Sequence, residues 1–274
     1  MKSKYQTPEQ VTQKHTRWGK GSLKLMLLSY MLSHKYMNTH SLRARQDHLR
    51  QRQCPIPPTS RRAQIPPAKS GAESVPDSCL RSSAWAKAQQ GDYTEAIGLL
   101  SQLIDRHPHT AIDYNNRGLV YFQSGQLEQA IADYNTALQL NPKLANAYNN
   151  RANSYAACGL LSAALADYDR AIDLNPSYVR ALINRGITLR DLGWYDQAIE
   201  NFDIALLLGQ LEGHIYAERG RTYHLWGDWN CCIADYRRAL TQLPQKSDSS
   251  FDPAGRLRLK VITWLEQLLS PRST

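Results

Sequence analysis

Aligned on itself with an offset of 34 residues, the chain superposes without a gap over 111–144, 145–178, 179–212 and 213–246, and a weaker copy at 77–110 precedes them. Numbering each segment from its first residue, position 8 is Ala84, Gly118, Ala152, Gly186 and Gly220, and position 15 is Gly91, Gly125, Gly159, Gly193 and Gly227. Position 20 is Ala96, Ala130, Ala164, Ala198 and Cys232, and position 24 is Leu100, Tyr134, Tyr168, Phe202 and Tyr236. Position 27 is Leu103, Ala137, Ala171, Ala205 and Ala239, and position 32 is Pro108, Pro142, Pro176, Gln210 and Pro244. A fixed period of this length means one supersecondary unit repeated along the chain.

Each unit reads as two helical stretches, positions 1–14 and 17–30, divided by the glycine at position 15. Glycine takes positive φ without a Cβ clash and so ends the first helix. Proline at position 32 cannot continue the second helix and breaks it before the next unit. Small residues at 8, 20 and 27 let the helices approach closely, and aromatics at 4, 11 and 24, such as Tyr114, Tyr121 and Tyr134, fill the space between them. One hairpin cannot bury both of its apolar faces, so neighbouring hairpins must stack. Position 7 carries Arg117, Arg151, Arg185 and Arg219, and position 23 carries Asp133, Asp167, Asn201 and Asp235. These are expected to bridge the two helices of each unit rather than form an anion-binding row.

This pattern resembles the tetratricopeptide repeat (TPR) family over residues 77–246. The variants YNNRG, YNNRA, LINRG and YAERG, with AIADY, ALADY, AIENF and CIADY downstream, are similar to bacterial and cyanobacterial members. The resemblance implies an all-α, right-handed α-solenoid of five hairpins, followed by a capping helix. The first unit departs most, with Lys87 at position 11 and no Tyr at position 4, and is expected to be a frayed or capping repeat. Gln210 in place of the position-32 proline predicts a smoother or bent junction there.

The resemblance also implies that first helices line a concave groove through positions 2, 5, 6, 9, 12 and 13. Position 6 reads Asn116, Asn150 and Asn184, a ladder extended by Asn115, Asn149 and Asn153, with Arg180, Arg190 and Arg221 adding positive charge toward its C-terminal half. An amide offers two donors and an acceptor and can pair with the backbone of an extended peptide of any sequence. Replacing Asn116, Asn150 and Asn184 with Ala is therefore expected to weaken partner binding and leave the fold almost untouched. The alternative is that these asparagines bridge neighbouring helices. The set of a Lys/Asn, an Asn and a Lys/Arg over three units that some family members use for chaperone tails is absent: Asn115 and Leu119, Asn150, then Arg180 and Asn184 lack its first and last cationic residues.

The flanks differ in kind. Residues 1–75 carry 14 Lys/Arg and 3 Asp/Glu, whereas residues 76–274 carry 19 and 21, so the net charge of +9 resides in the leader. The leader becomes rich in Pro, Ser and Arg at PIPPTSRRAQIPPAKSGAESVP, a composition that cannot bury enough surface to fold. Its apolar patch LMLLSYML, Leu25 to Leu32, falls short of the roughly 18 residues a membrane-spanning helix needs. It reads as part of a disordered extension, with a signal-peptide segment or an interfacial helix flanked by Lys20, Lys24 and Lys35 as alternatives. At the other end, Asp252, Pro253 and an apolar stripe at Leu257, Val261, Trp264, Leu265 and Leu268 predict a solvating cap helix. The organisation is a leader (1–76), the five units (77–246), and a linker with capping helix (247–274).

Enzyme signatures are missing: no GxxxxGK[ST], GxGxxG after a strand, HExxH or GxSxG. His107 and His109 flank a proline at a unit boundary and read as loop residues. Five cysteines without zinc-type spacing fit a reducing compartment. The reading is a non-catalytic cytoplasmic scaffold or adaptor, without a cofactor, metal or small-molecule substrate, that takes an extended peptide or partner helix in its groove for complex assembly. Two alternatives stay open: a recruiter held to an anionic membrane or nucleic acid by its leader, and a regulatory subunit of an enzyme acting in trans. In the recruiter reading, deleting residues 1–75 abolishes adsorption to anionic vesicles or DNA that weakens with salt. Adsorption unchanged by the deletion in a vesicle or DNA co-sedimentation assay contradicts it.

Overall fold

The computed structural model describes residues 75–244 and 253–269, and among them there is no strand. Leader residues 1–74, the linker 245–252 and with it the proposed cap residue Asp252 lie outside the described residues. Five hairpins follow one another: α1 (Asp77–Gln89) with α2 (Tyr93–Arg106), α3 (Ala111–Gln123) with α4 (Leu127–Leu140), α5 (Ala145–Ala157) with α6 (Leu161–Leu174), α7 (Val179–Asp191) with α8 (Tyr195–Leu207), and α9 (Glu212–Trp226) with α10 (Trp229–Gln242). The last helix is α11 (Pro253–Leu269). Each second helix packs on the first helix of the next hairpin, and from α3 onward first helices also touch one another. The stack is an α-solenoid with its first helices on the inner side.

The turn inside every hairpin is set by the position-15 glycine, whose φ runs from 75° at Gly159 to 90° at Gly227. An L side chain is disfavoured there, so glycine is needed at the one point where the chain reverses. Tight helix contact explains position 8: a Cβ on Gly118 would lie 2.8 Å from the Tyr134 ring, and one on Gly186 would lie 2.9 Å from the Phe202 ring. Ala130, Ala137, Ala164, Ala171, Ala198 and Ala205 are fully buried beside these rings.

The position-24 ring is buried from the second hairpin onward, and its hydroxyl meets three fates. Tyr168 donates to Asn153 Oδ1 at 2.6 Å. Tyr236 lies 3.4 Å from His224 Nδ1. Tyr134 has Leu119 where Tyr168 has Asn153, and its hydroxyl is buried without a partner. Phe202 has no hydroxyl to satisfy.

The Gln210 junction is irregular rather than smooth. α8 ends at Leu207, α9 starts at Glu212, and the turn between them puts Gly209 at φ 62° and Leu211 at φ 56°. Without proline to fix the break, the chain reverses through two left-handed residues, one of them a strained leucine.

Helix α11 packs against both helices of the last hairpin, as the first helix of a further unit would. Val261 is fully buried, Trp264 stacks on Tyr236 at 5.8 Å between centroids, and Arg258 donates to the carbonyls of Leu240 and Leu243 near the end of α10. The outer face, with Arg256, Leu259, Lys260 and Thr263, meets solvent.

The orphaned hydroxyl gives a test. Tyr134→Phe should stabilise the chain by about 1 kcal/mol, because a buried unpaired polar group costs about 1–3 kcal/mol, whereas Tyr168→Phe should destabilise it by about 0.5–1.5 kcal/mol. Urea denaturation of the two variants checks the opposite signs.

Candidate functional site

The arginines of position 7 hold the hairpins in register. Arg117 Nε and Nη2 donate to the two carboxylate oxygens of Asp133 at 2.7 and 2.8 Å, within the hairpin. Arg151 binds Asp167 at 2.7 and 2.8 Å, and Arg219 binds Asp235 at 2.7 and 2.9 Å, in the same bidentate way. The third nitrogen, Nη1, reaches back 16 residues into the preceding hairpin: to Ser101 Oγ at 3.0 Å from Arg117, to Asn135 Oδ1 at 2.7 Å from Arg151, and to Asp203 from Arg219. Tyrosines at positions 4 and 11 lie beside each of these guanidiniums, with Arg151 5.6 Å from the Tyr148 centroid and 5.8 Å from Tyr155. Arg117 and Arg219 are flanked likewise by Tyr114 and Tyr121, and by Tyr216 and Tyr223. In Arg219, burial alone would lower the pKa, and the bonds and charges of Asp235 and Asp203 more than reverse it.

Arg185 is the exception. Its helix has Leu182 and Leu189 at positions 4 and 11, and position 23 is the neutral Asn201. Arg185 donates to Asn201 at 2.9 Å, and its carboxylate is Asp169 of the preceding hairpin, at 2.8 Å. The counter-charge has moved from one side of the junction to the other.

On the inner row, the asparagines are already paired in the free chain. Asn150 donates to Asn115 Oδ1 at 3.1 Å, and Asn184 donates to Asn149 at 3.2 Å and Asn153 at 3.0 Å, each bond joining successive hairpins. Within helices, Asn149 donates to Asn150 at 3.2 Å and Asn115 to Asn116 at 3.4 Å. Asn115 and Asn149 are buried; Asn116, Asn150, Asn153 and Asn184 are half-buried. The expectation that these amides stay free until a partner arrives does not hold for Asn150 and Asn184. Asn116 differs: position 5 of the preceding unit is Arg81, itself a donor committed to Asp113 at 2.8 Å, and no acceptor among the described residues takes Asn116 Nδ2.

Of the three arginines expected to make the C-terminal half positive, only Arg190 is paired with carboxylates among the described residues. Arg190 donates to Glu218 at 2.6 Å and Asp191 at 3.2 Å, and its side chain is 12% exposed. Arg221 stacks over Trp264 at 5.1 Å and lies 3.3 Å from His224 Nδ1. Only Arg180 of the three named arginines is exposed.

Two groove-side residues escaped the sequence reading. Trp85 (position 9) and Ile112 (position 2) are 55% and 54% exposed. In the register that joins Asn153 to Asn184, Trp85 is the counterpart of Asn153 and Asn116 that of Asn184. The signal was large apolar residues at positions assigned to the groove.

Profiles described as tetratricopeptide repeat match residues 80–110, 145–178 and 167–200, and one described as TPR repeat matches 118–159. No curated protein matches the chain. Among solved structures, a thermophilic TPR protein of Thermus thermophilus is 20% identical with a TM-score of 0.60, over 69% of this chain and 99% of that one. A tetratricopeptide repeat protein from Parabacteroides merdae is 20% identical with a TM-score of 0.54, over 70% and 74%. MamA protein is 22% identical with a TM-score of 0.51, over 60% and 90%. At these identities the likeness is one of fold. The period, the hairpin stack and the matching profiles agree: the chain belongs to the tetratricopeptide-repeat family, a fold that generally serves protein interaction.

Proposed function

We propose that the inner face of the first helices binds an extended segment of a partner protein, chiefly across α1, α3 and α5, and that the chain acts as a non-catalytic scaffold in complex assembly. The observation that carries this reading is the half-exposed pair Trp85 and Ile112 on a row whose other polar groups are largely paired. A large apolar side chain left in water is informative when it lies where a binding face is expected. Trp85 and Ile112 would receive apolar side chains of the partner, and Asn116 Nδ2 would donate to its backbone. Asn115, Asn149, Asn150, Asn153 and Asn184 would hold the surface in shape, and exposed Arg180 would meet an acidic group of the partner. A cytoplasmic location belongs to the same proposal; among the described residues no helix is long and apolar enough to cross a membrane.

The second reading, a recruiter tethered through residues 1–75, rests on their net charge of 14 Lys/Arg against 3 Asp/Glu and is compatible with the first.

The test begins with affinity capture by the chain, identification of the partner, and titration by fluorescence anisotropy. Trp85→Ala with Ile112→Ala should weaken binding about tenfold or more, since buried aromatic anchors dominate interface energies. The melting temperature should barely change, because neither residue is buried in the free chain. Asn116→Ala should cost mainly affinity, since the free chain loses only the long 3.4 Å bond from Asn115. Asn184→Ala removes two bonds between hairpins and should cost about 1–3 kcal/mol of stability. Full affinity in the Trp85/Ile112 double variant overturns the proposal.

A further inference from the structure

A repeat serves as its own control. A position that every hairpin fills with a large apolar residue is one the scaffold needs; one filled so by a single hairpin is not. Position 17 is of the first kind, with Tyr93, Leu127, Leu161, Tyr195 and Trp229. Positions 13 and 14 are of the second: Gln89-Gln90, Gln123-Ser124, Ala157-Cys158 and Asp191-Leu192 precede Leu225-Trp226. Packing elsewhere in the array is achieved without a large apolar pair there, yet Leu225 and Trp226 stand 47% exposed, with Trp229 equally exposed across the turn.

Two ring pairs stand at the turn ends of the last two hairpins. Tyr195 of the fourth hairpin lies 6.5 Å from Trp226 of the fifth, and His224 lies 5.5 Å from Trp229. From Asp191 to Glu218 the chain has no Lys or Arg and six Asp/Glu, of which Asp203 and Glu218 are taken by Arg219 and Arg190. Asp191 and Asp196 are exposed on the fourth hairpin, next to Tyr195 and its turn. Nearby cations are committed: Arg190 to Glu218 and Asp191, and Arg221 to the face of Trp264. Burial and the Arg221 charge hold the His224 pKa below its usual value.

From this juxtaposition we infer that the turn-end surface of Leu225, Trp226, Trp229 and Tyr195 docks a basic segment of a partner protein, with an Arg or Lys side chain over an indole. Its charge faces Asp196 and the exposed carboxylate of Asp191, which Arg190 contacts through one oxygen. Cations are attracted to indole faces, and the acidic rim supplies the complementary charge. An anionic membrane is disfavoured by the same acids, since interfacial surfaces flank their aromatics with Lys and Arg. The repeat region of a second copy, with 19 Lys/Arg and 21 Asp/Glu in residues 76–274, gives no basic excess. The basic leader is the competing occupant, and tighter binding of the Arg peptide after deletion of residues 1–75 would assign the surface to it and overturn the inference. Leu225 and Asp191 occupy position 13 of their units, a groove position, but none of Trp85, Ile112 and Asn116 belongs to this surface, so the two proposals are tested separately.

The test uses the full chain and a synthetic dodecapeptide alternating Arg with Leu and Ser, titrated by fluorescence anisotropy, with a control in which Glu replaces Arg. The key variant is Leu225→Gln with Trp226→Gln, which installs what the first hairpin carries as Gln89 and Gln90 and so keeps the fold. It should weaken the Arg peptide about tenfold, as a lost indole anchor does. Asp191→Asn with Asp196→Asn should weaken it about threefold and flatten its salt dependence, the scale of exposed ion pairs. Trp85→Ala should leave it unchanged. Equal binding of the Glu peptide, or full affinity in the Gln variant, overturns the inference. So does a wild-type dimer in sedimentation velocity that the Gln variant dissolves, or adsorption to phosphatidylcholine vesicles lost in that variant, because either assigns the surface to another occupant.

Discussion

The guanidinium at position 7 is the interaction on which this array depends. A charge taken out of water is tolerated only when paired and fully hydrogen-bonded. Arg219, with 6% of its side chain exposed, meets that demand with the nearly buried carboxylate of Asp235, a further bond to Asp203 and the faces of two tyrosines. The demand is satisfied only when two hairpins stand in one relation to each other. The arginine thus fixes the step from hairpin to hairpin as well as the pairing of helices within one. Arg185 shows that the need is for a charge and a fork of acceptors rather than for one particular residue: its carboxylate comes from the preceding hairpin and its neutral acceptor from its own.

A fixed step makes the inner row a defined surface. Amides at positions 5, 6 and 9 come close enough to bond across hairpins, which removes most of them from recognition and stiffens the face they line. What stays open is set where the repeat breaks its own pattern. The first hairpin supplies Arg81 and Trp85 in place of asparagines, leaving Asn116 with donors to spare beside apolar surface. At the far end, the Arg190–Glu218 pair and the cap helix close the row. Departures from the repeat carry the candidate functions, and agreement with it carries the scaffold.

The period of 34, the glycine turns and the buried position-24 rings were legible in the sequence, because each answers a local demand that recurs in phase. The Arg–Asp pairs were legible too, since their spacing of 16 repeats. The equal reach backward was not: its acceptors Ser101, Asn135, Asp169 and Asp203 share a hydrogen-bonding capacity but no residue type. Nor was the pairing of the asparagines, which depends on how closely successive first helices approach. Arg190 read as free charge because its partner lies 28 residues away on another hairpin. Residue type shows what a side chain is able to do; the stacking decides whether a neighbour has already taken it.

The central claim, that these arginines couple successive hairpins, is tested most directly by native-state hydrogen exchange of Arg151→Leu against the wild-type chain. Leucine keeps apolar bulk between Tyr148 and Tyr155 while removing the bonds to Asp167 and Asn135. If the arginine joins two hairpins, amide protection falls together in α4, which carries Asn135, and in α5 and α6. Loss confined to α5 and α6, or protection unchanged throughout, would contradict it.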